Sequence, residues 1–248
     1  MNINWNAEGY SKNFSFVHEY GEGILNLIEF KTGKILDLGC GNGALTKKLY
    51  DMGADVTGMD ASEEMLKIAE KEYPEIKFIH ADASDFRTEE KFDTVFSNAV
   101  FHWIDNQDGL LSGINSALKE NGELVCEFGG FGCCERIHSA LEKAFAERGL
   151  EYRRTFYFPT IGEYAARMEN HGLLVKYAAL FDRKTQLKGE NGMMDWINMF
   201  VKLPFEGIDG GTAQEIKEKA VQSLEYMRED GVWYADYVRI RIRAVKVR

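Results

Sequence analysis

Apolar and polar positions along this chain follow two periods, and the switches between them mark the elements. Lys34-Ile35-Leu36-Asp37-Leu38 is a short apolar run that predicts a buried strand, and it ends in a glycine loop. From Ala44 to Asp51 the period lengthens, with Leu45 and Leu49 at i, i+4, which predicts a helix. Asp55 to Asp60 predicts the next strand. Ser62 followed by Glu63 and Glu64 has the pattern of a helix start, a capping hydroxyl with acids in the first turn, and Pro74 closes that helix. Further strands are predicted at Ile76–Ile79, Phe92–Phe96 and Glu123–Phe128. Each strand before the fifth is followed by helix-like sequence, a rhythm that predicts right-handed βαβ units in a mostly parallel sheet.

The second half is less regular. Helices are predicted at Arg136–Arg148 and Ile161–Asn170, a strand at Leu173–Thr185, and a helical insert from about Gly192 to Glu229. Tyr237 to Arg243 alternates strictly and predicts a closing strand, its arginines sharing a half-solvated face. With no internal repeat or linker, residues 1–248 are expected to form one domain of the α/β class: a lid at 1–30, a ligand-binding core at 31–130 and the insert at 190–230.

Charge narrows the partners. There are 30 Lys+Arg against 40 Asp+Glu, a formal net charge of -10, and such a surface repels phosphate backbones. Nucleic acid is therefore not the expected partner. No apolar run approaches the roughly 18 residues of a membrane span, and the first residues lack the pattern of a secretory signal. Cys40, Cys126, Cys133 and Cys134 form neither a Cys-x-x-Cys pair nor a disulfide scaffold, and no metal set is recognisable, so a reducing cytoplasm is expected.

Candidate chemistry begins at Asp37-Leu38-Gly39-Cys40-Gly41-Asn42-Gly43, between a strand and a helix. Glycines there allow a sharp turn and a close backbone approach to a ligand. The loop also satisfies the dinucleotide pattern, so a nucleotide-dependent oxidoreductase stays open at this point. Two more acids sharpen the picture. Asp60 closes the second strand, where a carboxylate can accept from both ribose hydroxyls, and Asp82 with Ala83 follows the third, beside the place of an adenine. Asp37 at the mouth of the loop would repel a pyrophosphate but favour a sulfonium and an amino group.

These motifs resemble the class I S-adenosylmethionine-dependent methyltransferases. Ile35 to Gly43 is similar to the family's first motif, Asp60-Ala61-Ser62 with Met65 to its second, and Asp82-Ala83 to its third. Trp5 to Glu22 is similar to the N-terminal lid helix of small-molecule members. The resemblance implies a doubly wound, Rossmann-like seven-stranded sheet in the order 3-2-1-4-5-7-6 with an antiparallel last strand. It implies S-adenosylmethionine as cofactor, held by Tyr10, Asp37, Gly39, Gly41, Asp60, Ala61, Met65, Asp82, Ala83 and Asn98. Ser97 to Trp103, Glu127 to Gly130 and Ala235 to Arg239 further resemble the trans-aconitate and malonyl-carrier-protein carboxyl methyltransferases.

Ligands of open α/β sheets bind outside the carboxyl ends of the strands, which places Ser97 to Trp103 at the site. His102 is the base candidate there: it could take a proton from a hydroxyl or amine, while a carboxylate acceptor needs no base. The expected catalytic residue is His102, and the expected acceptor contacts are Phe101, His102, Trp103, Gly130 and Trp196. Arg153 and Arg154 could hold a substrate carboxylate, although a solvated pair is the better reading. The expected activity is methylation of a small molecule, on oxygen and perhaps of a carboxylate, by a monomer or homodimer. N- or C-methylation and a non-catalytic cofactor-binding module remain alternatives.

Overall fold

The computed structural model describes residues 23–247. Strands β1 (Lys34–Leu38), β2 (Asp55–Asp60), β3 (Lys77–His80), β4 (Phe92–Asn98) and β5 (Leu118–Gly129) are joined by parallel pairings. β6 (Leu173–Leu187), the two-residue β7 (Arg228–Glu229) and β8 (Val232–Lys246) complete the sheet. Its order is β3-β2-β1-β4-β5-β8-β6, with β7 paired to β8 off that path. β8 runs antiparallel to both β5 and β6. With β7 set aside, this is the expected seven-stranded order with an antiparallel last strand.

Helices α1 (Ala44–Asp51) and α2 (Glu63–Glu72) follow β1 and β2, α3 (Gln107–Ala117) joins β4 to β5, and α4 (Glu135–Ala146) and α5 (Ile161–Asn170) lead to β6. α6 (Gly192–Phe200) and α7 (Gly210–Ser223) lie between β6 and β8. The Ser62 hydroxyl caps α2 by accepting from the Met65 N–H at 3.3 Å. β1 is central and buried along nearly its whole length. Leu36, Leu38 and Val95 pack on Leu110, Leu111 and Ile114 of α3 and on Tyr164 of α5. The alternate residues Ile35, Phe96 and Val125 pack with Ile24, Ile28 and Leu45, Leu49 of α1. A third cluster joins α4, α6 and α7 to Trp233, Ala235 and Tyr237 of β8.

Two expectations fail. Among the described elements no helix joins β3 to β4. Residues 81–91 turn instead, with the Asp82 carboxylate accepting from Ser84 N–H at 2.8 Å and the Thr88 hydroxyl from Glu90 N–H at 3.1 Å. Such local side-chain bonds compete with helix formation. The arginines of the closing strand also do not face solvent. β8 is an interior strand, and its Arg241 and Arg243 meet buried glutamates of β5. Glu127 is shared by Arg241, at 2.7 Å, and Arg183 of β6, while Glu123 receives Arg243 at 2.6 Å. Both glutamate side chains are essentially inaccessible, so each carboxylate is neutralised where it stands.

Among the described residues no helix is long and apolar enough to cross a membrane. The lid expected over residues 1–30 lies mostly outside the described residues. Its described end, with Ile24 and Ile28, packs into the core against Phe96 and Val125.

Candidate active site

The glycine loop after β1 is built on three left-handed backbones, Gly39 (φ 79), Gly41 (φ 56) and Gly43 (φ 80). Two of the three are required by packing as well. A Cβ on Gly39 would stand 2.2 Å from Val100 Cγ2, and one on Gly43 would stand 2.9 Å from the Tyr73 ring. At Gly41 a Cβ would meet only the tip of Met65, at 3.3 Å. The loop is thus packed at its two ends and open at Gly41, which leaves a cradle where a ligand can reach the backbone.

The acids stand around that opening. Asp60 accepts from Gly41 N–H and from Ser62 N–H, each at 2.8 Å, one bond to each carboxylate oxygen. Each oxygen keeps lone-pair capacity for a further donor. Burial raises the Asp60 carboxyl above its ordinary range, against the pull of those N–H groups. Asp37 lies deeper, 2 % exposed, and takes one bond from the Thr46 hydroxyl at 2.7 Å. Burial raises its carboxyl to about 7, the Thr46 bond pulls it down, and the Asp60 charge adds to the rise. Met65 and Ala83 are buried, and Ala61 and Asp82 are more open. These residues and Asn98, at the end of β4, gather at one edge of the sheet. The open backbone at Gly41 and the two acids suit a nucleoside with ribose hydroxyls and a cationic group. Tyr10 lies outside the described residues.

A second cavity opens at the ends of β4 and β5. It is small, about 40 Å³, and its walls are His102, Trp103, Cys133, Cys134, Phe156, Phe158, Trp196, Phe200, Tyr237, Arg239 and Ala99. Ala99 holds φ 62, a left-handed backbone that costs a non-glycine residue about 1–2 kcal/mol. It is fixed there by its N–H to Glu127 O at 2.7 Å and by Trp103 Nε1–H to its own carbonyl at 3.2 Å. The bend sends Phe101 and His102 in different directions. Phe101 is fully buried in the core against Phe128 and Tyr164, so it does not line the cavity as expected. Gly130 is also absent from the wall and lies against Leu180 and Ile240 instead. Trp103 and Trp196 do line it.

His102 accepts the Gly129 N–H at Nδ1, 3.2 Å away. A neutral ring with Nδ1 accepting carries its proton on Nε2. Burial, with the Arg239 charge beside it, holds His102 well below the ordinary imidazole range. The ring is therefore neutral and a hydrogen-bond donor, which weighs against the role of general base.

Arg239 is the residue that sequence reasoning missed. It is 7 % exposed, and the Tyr237 ring lies 4.5 Å from its guanidinium. Tyr237 is locked in turn by Trp196 Nε1–H, which donates to its hydroxyl at 2.6 Å. Arg183, Arg241 and Arg243 all have glutamate partners, but among the described residues no carboxylate pairs with Arg239. Arg239 lines the cavity, where its guanidinium is placed to meet an anion. Its strict alternation with the other arginines of β8 hid this difference. Arg154 is spent on Glu135 and Glu142, and Arg153 stands exposed in a separate cleft with Asp105 and Glu206.

The comparisons with known proteins agree with this geometry. Residues 36–126 match the model of a methyltransferase domain. An uncharacterized methyltransferase of Schizosaccharomyces pombe is 29% identical, with 98% of each chain covered. The trans-aconitate 2-methyltransferase of an Enterobacter species is 30% identical over 66% of this chain and 65% of its own. The chain spans about half the length of most other curated relatives it matches. Among solved structures, a protein assigned as a methyltransferase from Bacillus halodurans superposes with TM-score 0.65 at 16% identity, covering 93% of this chain and all of that one. Phosphoethanolamine N-methyltransferase 2 of Haemonchus contortus, in complex with S-adenosyl-L-methionine, superposes with TM-score 0.57 at 19% identity, covering 93% of this chain and 53% of that one.

Proposed function

The chain is a class I S-adenosylmethionine-dependent methyltransferase, and from that premise we propose that it methylates a carboxylate oxygen of a small molecule held between His102 and Arg239. The observation that carries this reading is the Arg239 guanidinium, without a carboxylate partner among the described residues, beside a neutral His102.

Gly41, Asp60, Ala61, Met65, Asp82, Ala83 and Asn98 would hold the cofactor, with Asp37 as the acid beneath its cationic end. When bound, S-adenosylmethionine supplies a methyl group on a positively charged sulfur. Arg239 would grip one face of the acceptor carboxylate, with His102 Nε2–H donating a further bond. Trp103, Phe156, Phe200 and Trp196 would exclude water and hold the free oxygen in line. Attack by an anion on a cationic centre disperses charge, so a dry pocket favours it over water. No proton has to leave the acceptor, and alignment alone can supply up to roughly 7–11 kcal/mol. The name of the Enterobacter relative points the same way, since trans-aconitate is a carboxylic acid. We place the protein in the cytoplasm, with the 190–230 segment roofing the acceptor through Trp196 and Phe200.

The test is a transfer assay with methyl-labelled cofactor against a panel of small carboxylic acids, amines and phenols. Base-labile label in products from the acids supports the reading. Label only in base-stable amines or ethers would overturn it.

A further inference from the structure

The acceptor cavity has two neighbouring thiols in its wall. Cys133 and Cys134 are each 2 % exposed, and their sulfurs stand 3.8 Å apart. Both line the same small cavity as Arg239 and His102. Adjacent side chains in an extended strand point to opposite faces. Here the left-handed Cys134 (φ 55, ψ 25), at the head of α4, turns both sulfurs to one side. The mechanism above uses neither.

We propose that Cys133 and Cys134 form a modification site, a vicinal dithiol that a hydroperoxide converts reversibly to a disulfide, reshaping the acceptor cavity while leaving the cofactor cradle intact.

Three observations support it. Cys133 has Arg239 beside it: burial and the Asp236 charge push its thiol up, but the Cys134 hydrogen bond, the Arg239 charge and the Val238 backbone outweigh them and leave it below the ordinary thiol value. Cys40 and Cys126 are also buried, and burial pushes both of them up. Reactivity is thus directed to Cys133. Second, both sulfurs lie in the cavity wall, where a molecule as small as hydrogen peroxide can meet them. Third, the segment carries its own resolving partner. The Cys133 thiolate attacks one peroxide oxygen, the O–O bond breaks, and the leaving hydroxide takes up the proton that Cys133 had released, becoming water. The Cys134 sulfur then attacks the sulfenic sulfur. The S–S bond forms, the S–O bond breaks, and the hydroxide takes the Cys134 proton as a second water. Two thiols lose two electrons and one peroxide gains them.

Closing the sulfurs from 3.8 Å to a bond length of about 2.05 Å must move the wall. The same residues anchor it: Cys133 N–H donates to Gly130 O at 3.0 Å and Cys134 N–H to Asp236 O at 2.9 Å. That this wall bounds the acceptor rests on the function proposed above; the thiol chemistry does not.

The experiment treats the full chain with near-stoichiometric hydrogen peroxide. It reads intact mass, the disulfide position by tandem mass spectrometry after alkylation, and tryptophan fluorescence, since Trp103 and Trp196 line the cavity. The expected result is a mass loss of two hydrogens linking Cys133 to Cys134, a fluorescence change, and reversal of both by dithiothreitol. S-adenosylhomocysteine affinity should stay within about twofold, as for independent sites. Cys134→Ser should abolish both signals, and the mass mapping on the unaltered chain needs no variant to fold. Thiols at 133 and 134 that survive peroxide, oxidation at Cys40 or Cys126 instead, or a disulfide with unchanged fluorescence would each overturn the proposal. A disulfide that forms as described in a protein that methylates no carboxylate would count against the acceptor assignment alone.

Discussion

The backbone N–H of Gly129 points at Nδ1 of His102 from 3.2 Å, and this one bond decides which ring nitrogen carries the proton. The short turn Phe101–Trp103 after β4 and the end of β5 are thus tied at the cavity, and the histidine is left as a donor there.

His102→Gln keeps a donor near the Nε2 position and removes any basic nitrogen. With the carboxylate acceptor and saturating cofactor, turnover should fall less than about tenfold, well short of the 10²–10⁴ typical of a lost general base. No acidic limb near pH 6.5 should appear in either protein's rate profile, because burial already keeps the ring neutral above that range. Stopped turnover together with a vanished limb would make His102 the base after all.

Arg239→Met separates binding from folding. Removing a guanidinium that has no carboxylate partner among the described residues should leave thermal stability unchanged or raise it. Loss of one charge-assisted grip, about 1.5–3 kcal/mol, should weaken the acceptor roughly 10- to 150-fold, read as KM. S-adenosylhomocysteine affinity, followed by calorimetry, should hold. A variant that unfolds would show that Arg239 is structural.

Two glycines of one loop should respond differently to alanine. Gly39→Ala meets both a left-handed backbone and Val100 at 2.2 Å, so it should lose about 2–5 kcal/mol of stability in denaturant titration. Gly41→Ala carries only the backbone strain, about 1–2 kcal/mol, yet its methyl enters the open cradle and should weaken S-adenosylhomocysteine. Equal stability losses, with cofactor affinity untouched at Gly41, would place the ligand elsewhere.

Asp37 and His138 give stability opposite pH dependences. Asp37, raised by burial to about 7 from an ordinary 3.8, supports folding fully below 3.8 and loses that contribution as pH rises through 7. His138 is lowered by burial, with Arg154 adding, to about 4 from 6.5. It contributes above 6.5 and loses this as pH falls through 4. Between pH 4 and 6.5 the two slopes oppose, each on the order of a few kcal/mol in all. Urea titrations should show Asp37→Asn more stable than the unaltered chain at pH 8, and losing stability more steeply on acidification to pH 4.5. Parallel curves for the two proteins would refute the assignment of Asp37.

The sequence disclosed what local chemistry fixes. β2, α1 and α5 begin and end where their apolar periods, caps and breakers place them. The glycine loop and its acids were legible because a close backbone approach and a carboxylate at a strand end need particular residue types. The rest depended on distance. Three arginines of one strand look alike until β8 is known to lie between β5 and β6. They then divide between paired and unpaired fates: Arg241 and Arg243 find glutamates more than a hundred residues earlier, and Arg239 finds none among the described residues. Phe101 and His102 are adjacent, and only the left-handed Ala99 before them sends one to the core and the other to the cavity.

The place of β8 also governs the order in which the molecule can assemble. β5 and β6 meet only through it, so both remain open edges until the last strand is made and inserted between them. During synthesis those edges would be exposed to neighbouring chains, and pairings this distant in sequence form slowly. Glu123 and Glu127 then stand on the waiting edge as uncompensated charges, which discourage intrusion by a foreign strand until Arg243 and Arg241 arrive. The ion pairs that close the finished sheet would thus serve first as its guards against aggregation.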